Sequence, residues 1–302
     1  KFINLSDIKK QNKILKAKIS KDIKKICSKR KNFLKNLNFL KPSIMGILNL
    51  TPDSFSDGGK FNKKSKSFKQ ISKMIDTGAL IIDVGGESTR PGSKTINPQV
   101  EWNRIKHVIK NFKKKYKNTL LSIDSRKSDI MFKSIKNGAE ILNDVSGFKY
   151  DKKSISIIKN LKISKILHHM QGTPDTMQLN PKYKNVLLDI YDYFEKNIDM
   201  NFKDKKIILD PGIGFGKNLK HNITILNQIS IFHSLGFPVM LGISKKRFIK
   251  DIAGNNDSIH RTGGTTSSSI YAFLQGVQII RVHDVNEIKQ AMKVIKKIIF
   301  NI

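Results

Sequence analysis

Acids, amides and bases close a series of short apolar runs along this chain: Asn49, Asp83, Asp124, Asn143, His169, Asp210, Ser244, Arg281 and His283. Gathered in one place, such a set could grip an anion through its cations and orient a flat polar ligand through its acceptors. A single acid after an apolar run is ordinarily a helix N-cap. A whole series of runs ending this way asks for more than capping. Arginine occurs only at positions 30, 90, 104, 126, 247, 261 and 281, against fifty lysines. A background that favours lysine has thus kept a planar fork at Arg90 and Arg281, where an anion could be held bidentately. Three loops follow the runs. Asn49 to Gly59 (NLTPDSFSDGG) and Gly85 to Gly92 (GGESTRPG) are rich in turn formers and hydroxyls, able to bind a phosphate or shield a reacting centre. Asp210 to Lys217 (DPGIGFGK) fits neither nucleotide-loop pattern, so its glycines are expected to let a flat ligand lie against backbone.

The elements that must position these groups are eight runs: IMGILNL from Ile44, LIIDVGG from Leu80, TLLSIDS from Thr119, EILNDV from Glu140, ISKILHH from Ile163, KIILDPG from Lys206, FPVMLGIS from Phe237 and VQIIRVHD from Val277. Most of the intervening stretches are long enough for a helix and two loops. Strand and helix therefore alternate eight times, which predicts an α/β fold of (β/α)8 TIM-barrel type. The span from Ile44 onward matches the roughly 250 residues of such a barrel, whose active site lies where the strands end. Residues 41–302 are read as the barrel, the catalytic domain, and residues 1–40 as a Lys-rich extension.

That extension holds twelve Lys, one Arg and two Asp, with Ile and Leu at intervals that permit an amphipathic helix. It reads as a solvated basic extension or as a cover for the barrel's lower end. A transit peptide or the remnant of a fused upstream domain are the competing readings. No proposed site residue falls in it, so removal of residues 1–38 is expected to leave kcat/KM within about threefold. The whole chain has a formal charge of +33. Lys, Ile and Asn are raised everywhere together, as a drift toward A/T-rich codons would produce, whereas nucleic-acid readers concentrate Arg and aromatics in one patch. No specific nucleic-acid partner is expected. Cys27 is the single cysteine, which excludes a disulfide or a cysteine metal cluster within the chain and fits a reducing, cytoplasmic setting. No run reaches the ~18 apolar residues of a membrane span.

MGILNLTPDSFSDGG, IIDVGGESTRPG, LLSID, ILNDVSG, HHMQGTP, LDPGIGFGKN, GISKK and IIRVHD, in this order, closely resemble the dihydropteroate synthase family of the bacterial folate pathway. The resemblance runs from about Met45 to the end and leaves residues 1–40 largely outside. It implies a transferase that joins p-aminobenzoate to 6-hydroxymethyl-7,8-dihydropterin pyrophosphate, giving 7,8-dihydropteroate and pyrophosphate.

A pterin edge offers a row of N–H donors beside a carbonyl, so the resemblance puts Asp210, Asp124 and Asn143 on that edge. Lys246 meets an acceptor, and Phe215 and Met170 pack near the ring. Arg281 and His283 would bind the diphosphate, Asn49 would ligate Mg2+, and Arg90 would close over the leaving group. The aminobenzoate would lie between Phe55, Pro91 and the stem of Lys246, its carboxylate near Ser244, with Thr89 ordering the second loop. A homodimer through the last two helices is a further family expectation. His168 and His169 are not read as a zinc pair, because adjacent strand residues point to opposite faces. Three departures stand out: Ser244-Lys245-Lys246 where the family commonly has Ser-Arg-Lys, Ile213 where an aromatic is common, and Ser125-Arg126 after Asp124, which places an unexpected cation near the pterin pocket. A methyltetrahydrofolate-dependent methyltransferase shares the pterin-binding barrel and is the alternative enzyme. It has no need of an anion grip by Arg90, Arg281 and His283.

Overall fold

The computed structural model describes residues 5–51, 63–90, 92–159, 161–202, 205–254 and 257–300. Each apolar run becomes a strand: β1 (Ser43–Asn49), β2 (Ile81–Gly85), β3 (Leu120–Asp124), β4 (Ile141–Asp144), β5 (Ser164–His168), β6 (Ile207–Asp210), β7 (Met240–Gly242) and β8 (Ile279–Val282). The helices are α1 (Leu5–Lys9), α2 (Lys13–Cys27), α3 (Lys63–Asp76), α4 (Pro98–Lys115), α5 (Ser128–Lys136), α6 (Lys153–Lys159), α7 (Val186–Asn201), α8 (Leu219–Asn227), α9 (Arg247–Ala253), α10 (Thr262–Leu274) and α11 (Val285–Phe300). The strands pair in parallel in the order β6-β5-β4-β3-β2-β1-β8-β7. A parallel bridge from Leu209 to Val239 joins the two outer strands. There the Leu209 N–H donates to the Pro238 carbonyl at 2.8 Å. The sheet is thereby a closed (β/α)8 barrel, as the eightfold alternation predicts.

Strand side chains alternate faces, and here that period sorts the chemistry from the packing. Ile44, Leu48, Ile82, Val84, Leu121, Ile123, Leu142, Leu167, Ile207, Leu209, Leu241, Ile280 and Val282 belong to the large cluster between sheet and helices. The other phase starts at the barrel floor with one residue per strand: Met45, Ile81, Leu120, Ile141, Ile166, Ile208, Met240 and Ile279. Two residues further along each strand the same phase reaches Asp83, Ser122, Asn143, His168, Asp210 and Arg281. The interior is therefore apolar below and polar above.

Leu34, Leu37 and Phe39 pack against that floor and are 7%, 3% and 3% exposed. Arg30 ties the segment down by donating to the His233 carbonyl at 2.9 Å. Helix α2, in contrast, buries none of its residues. Of the two readings of residues 1–40, a cover for the lower end describes residues 30–39. The solvated helix describes what precedes them.

Candidate functional site

Register sets the site. Asn49 pairs with Gly85, Gly85 with Asp124, and Asp124 with Asn143, so the ends of β1 to β4 meet at one level. His168 pairs with Asp210 and Gly242 with Arg281 on the other side. The strand-end acids are free for this duty because other residues cap the helices. The side-chain N-caps of α2, α4, α7 and α8 are Asn12, Asn97, Asn185 and Asn218.

Arg281 is the centre. Its Nε donates to Asp83 Oδ2 and its Nη2 to Asp124 Oδ2, both at 2.7 Å. Asn143 Nδ2 donates to the same Asp83 oxygen at 2.9 Å. Burial alone would lower the Arg281 pKa, but Asp83 and Asp124 more than offset it and leave it raised. Asp124 feels the burial too. Its carboxyl is pushed up to about 7 by desolvation, with Arg281 pulling the other way and Asp83 adding repulsion. Asp124 Oδ1 and Asn143 Oδ1 are buried without a hydrogen-bond partner, two acceptors awaiting donors.

Across the barrel, Asp210 Oδ1 accepts from the Gly212 N–H at 2.8 Å. Desolvation raises its pKa against the pull of Lys246 and that N–H. Lys246 donates to the Ile213 carbonyl and sits 4.5 Å from the centroid of the Phe215 ring. Burial brings its ammonium down to about 8, opposed by Asp210. Phe215 and His168 stand edge to face, with centroids 4.7 Å apart. His168 Nε2 is 3.7 Å from Asp210 Oδ2, but burial first, then Lys246 and Lys217, holds it well below the ordinary histidine range. It therefore lines the site as a neutral ring. Met170 is half-buried just beyond β5.

At the mouth, Ser244 Oγ lies 2.9 Å from His283 Nδ1 and accepts from the His283 N–H at 3.2 Å. The hydroxyl oxygen has a second lone pair, so it meets Nδ1 as donor or as acceptor according to the tautomer of the ring. Burial, with Arg281 and Lys245, keeps His283 neutral by lowering it to about 4. Lys245 turns away to Asp284, 3.0 Å from its Oδ2. The Ser-Lys-Lys turn thus keeps its second lysine in the site and spends its first outside. Ile213, the second departure, is fully buried, and its contribution to the site is its carbonyl.

Several expectations need correction. His169 does not join the inward set. The phase fixed by Ile166 turns His168 inward, and His169 instead lies 3.0 Å from Lys217 Nζ, its ring edge-on to Tyr193. Arg126 is not a cation in the pterin pocket. It donates to Glu87 through Nε and Nη2, and its guanidinium lies 4.4 Å from the centre of the Tyr150 ring. Two of the three glycines after β6 serve the protein's own backbone, and the third, Gly214, makes room for the stem of Lys246. Gly212, at φ +71°, has the His169 carbonyl where a Cβ would stand, and Gly216, at φ +61°, has Gln171 there. Phe55 and Pro91 lie outside the described residues, as does most of the first loop. Thr89 is half-buried and Arg90 exposed on the second loop.

Two contributors were under-read in the sequence. Asp83, which anchors both Arg281 and Asn143, follows the same inward phase as Ile81. His168 follows from Ile166 in the same way. Among the described residues, no cluster of three or more His, Cys, Asp or Glu is placed to hold a metal ion. A divalent cation would need one side-chain oxygen plus oxygens of its ligand. Asn49 supplies a neutral carboxamide oxygen at the top of β1, 3.6 Å from where a Cβ on Gly85 would lie. This suits Mg2+, which binds few protein groups and completes its shell with phosphates and water.

A family profile described as pterin binding enzyme matches residues 45–283. The dihydropteroate synthase of Escherichia coli K12 is 38% identical over 265 residues, covering 86% of this chain and 93% of that protein. That of Synechocystis sp. is 37% identical, covering 83% and 88%. Among solved structures, Yersinia pestis dihydropteroate synthase in a sulfonamide complex superposes with a TM-score of 0.81 at 35% identity, covering 87% of this chain and 96% of that one. The Xanthomonas albilineans enzyme in complex with 7,8-dihydropteroate gives 0.78 at 27% identity, covering 87% and 95%.

Proposed function

The chain belongs to the pterin binding enzyme family, among the dihydropteroate synthases, and from that premise we propose how its own residues carry out the reaction. The enzyme is a transferase. The bond between the exocyclic methylene of 6-hydroxymethyl-7,8-dihydropterin pyrophosphate and its bridging oxygen breaks, and pyrophosphate leaves. The amine of p-aminobenzoate forms the new C–N bond and loses one proton, giving 7,8-dihydropteroate.

One observation carries the assignment of roles: inside one buried ring of polar groups the acceptors Asp83 Oδ1, Asp124 Oδ1 and Asn143 Oδ1 have no partner, and the last two stand side by side at paired strand ends. A buried acceptor without a donor costs ~1–3 kcal/mol, so a ligand edge bearing N–H groups recovers that loss. Asp210 faces them across the barrel and accepts from the same edge. Phe215 offers the ring a face, and Lys246 beside it a donor for a ring acceptor, with Met170 filling the pocket wall.

The leaving diphosphate meets Arg281, the neutral ring of His283 and, from the second loop, Arg90. The bonds of Arg281 to Asp83 and Asp124 use Nε–H and one hydrogen of Nη2, so both hydrogens of Nη1 and the second of Nη2 are left for an anion. Fixed donors aimed at a departing charge stabilise it without reorganisation. Mg2+, held through Asn49 and the phosphate oxygens, would add Lewis-acid stabilisation of the same charge. With departure preceding attack, no general base is required.

The aminobenzoate lies against Thr89, Phe55, Pro91 and the stem of Lys246. Its carboxylate meets the Ser244 hydroxyl. A homodimer through α10 and α11 and a cytoplasmic location complete the reading. They are supported by the exposed Tyr271, Leu274, Val294 and Ile298 on those helices, and by the lack of any described helix long and apolar enough to cross a membrane.

The test is pyrophosphate release. Release that requires the dihydropterin substrate, p-aminobenzoate and Mg2+ together supports the reading. No release under those conditions overturns it, and transfer of a methyl group instead would establish the folate methyltransferase alternative.

A further inference from the structure

The second loop is fastened at both ends by one side chain. Arg126 donates to Glu87 Oε2 from Nε at 3.3 Å and from Nη2 at 2.9 Å, and Nη2 also reaches Thr95 Oγ1 at 3.3 Å. Glu87 precedes Thr89 and Arg90, and Thr95 follows them. The other face of the guanidinium rests on Tyr150, on the loop after β4. Arg126 therefore joins the loops after β2, β3 and β4.

Other bonds secure this loop beside Arg126: the Gly92 N–H reaches the Pro174 carbonyl at 3.3 Å, and the two ends also meet directly. Glu87 Oε1 accepts from the Ile96 N–H at 2.9 Å and from Lys127 Nζ at 2.7 Å. Lys127 continues to Glu101 on α4 at 2.5 Å. These four charged side chains are 5% exposed or less. Glu87 stays ionised because Lys127, the Ile96 N–H and Arg126 outweigh the burial that would raise its pKa. Thr95 and Tyr150, however, are reached through Arg126. Within the pinch, Ser93 closes the tip through the Ser88 carbonyl at 2.7 Å and the Arg90 carbonyl at 3.0 Å. Arg90 and Thr89 thus ride on a short tip whose two ends are already together.

We propose that Arg126 is a positioning residue for aminobenzoate. By tying Glu87 to Thr95 and Tyr150, beside the direct Glu87–Ile96 bond, it presets the loop that carries Thr89 and Arg90, so that less of the chain must be ordered when that substrate binds. The inference rests on the functional reading above. Preorganising a loop raises affinity by lowering the ordering cost, and the gain falls on the ligand that contacts the loop. The pterin edge, held by Asp124, Asn143 and Asp210, does not draw on it.

Steady-state kinetics of the full chain, varying each substrate in turn, tests this. Arg126→Gln should raise KM for p-aminobenzoate about fivefold, the scale of ordering one side chain, and leave KM for the dihydropterin substrate within about twofold. Arg126→Lys, which keeps a donor for Glu87 but not the fork to Thr95, should recover part of the loss. Thr95→Val should shift the same KM in the same direction by less, and it decides the matter if Arg126→Gln fails to fold. An unchanged aminobenzoate KM in folded Arg126→Gln, or equal losses for both substrates, overturns the strap. Variants that match an active unmutated chain overturn the strap alone. An unmutated chain without turnover overturns the functional reading with it.

Discussion

Two truncations that differ by a dozen residues should behave very differently. Removing residues 1–27 deletes a helix with no fully buried residue, two exposed hydrogen bonds from Ser28 to the Lys24 carbonyl and a part-buried one from Arg30 to the Lys25 carbonyl. The expected cost is about 1 kcal/mol, that of the one part-buried hydrogen bond. Removing residues 1–39 also strips Leu34, Leu37 and Phe39 from the barrel floor, where each is 7% exposed or less. At ~1.5–3 kcal/mol for each fully buried side chain, the loss is roughly 5–9 kcal/mol, before counting the eight floor residues newly exposed to water. A domain is stable by only about 5–15 kcal/mol, so the longer deletion should leave little folded protein at 37 °C. Urea denaturation of both variants, with turnover measured on whatever remains folded, separates stability from catalysis. Equal midpoints for the two truncations would refute the claim that residues 28–39 close the barrel. The near-neutral deletion expected of the whole extension from its sequence then applies only to its first 27 residues.

Asp83→Asn should destabilise the protein by about 3–5 kcal/mol, because it removes a fully buried charge facing Arg281 and turns an amide toward Asn143; urea denaturation measures this. p-Aminobenzoate should bind well only with pyrophosphate and Mg2+ already present, with a coupling of about 1–3 kcal/mol read from paired titrations, and Arg90→Lys should weaken that coupling more than it weakens pterin binding. Equal affinity with and without pyrophosphate would mean that the loops need no anion for the ordering that Arg126 leaves undone. Dihydropterin affinity should fall as pH drops through about 7, since Asp124, raised by burial, then takes a proton and presents a donor to donors; calorimetry at pH 6 and pH 8 checks it. The sign for folding is opposite: with its pKa above the unfolded value, Asp124 favours the ligand-free fold at low pH, and this contribution is lost as pH rises through 7.

The strands could be found in the sequence because a parallel barrel buries both faces of each strand, which writes them as near-continuous apolar runs. The same period of two, once anchored at Ile81, Leu120, Ile208 and Ile279, carries Asp83, Asp124, Asp210 and Arg281 into the interior. It also decides between His168 and His169, a choice that the end of the ISKILHH run alone leaves open. What the period cannot reach lies in loops. Arg126 looked like a cation near the pterin because it is two residues past Asp124, but beyond a strand's end side-chain direction follows loop torsions and available partners. Its partner, Glu87, comes from another loop. Leu34, Leu37 and Phe39 follow no helical or strand spacing, since what orders them is a floor assembled from eight distant strands. The glycines after β6 could be read as turn formers, but that carbonyls of the β5 loop fill the space beside them depends on how two loops pack.

Calorimetric titration of the dihydropterin pyrophosphate into the unmutated chain and into Asp210→Asn tests the assignment of the inner ring most directly. Replacing a buried acceptor with an amide turns a donor toward the donors of the pterin edge, at a cost of about 2–5 kcal/mol. The account predicts an affinity loss of roughly thirtyfold to several thousandfold, at tenfold per 1.4 kcal/mol. Unchanged affinity in a folded Asp210→Asn variant would contradict it.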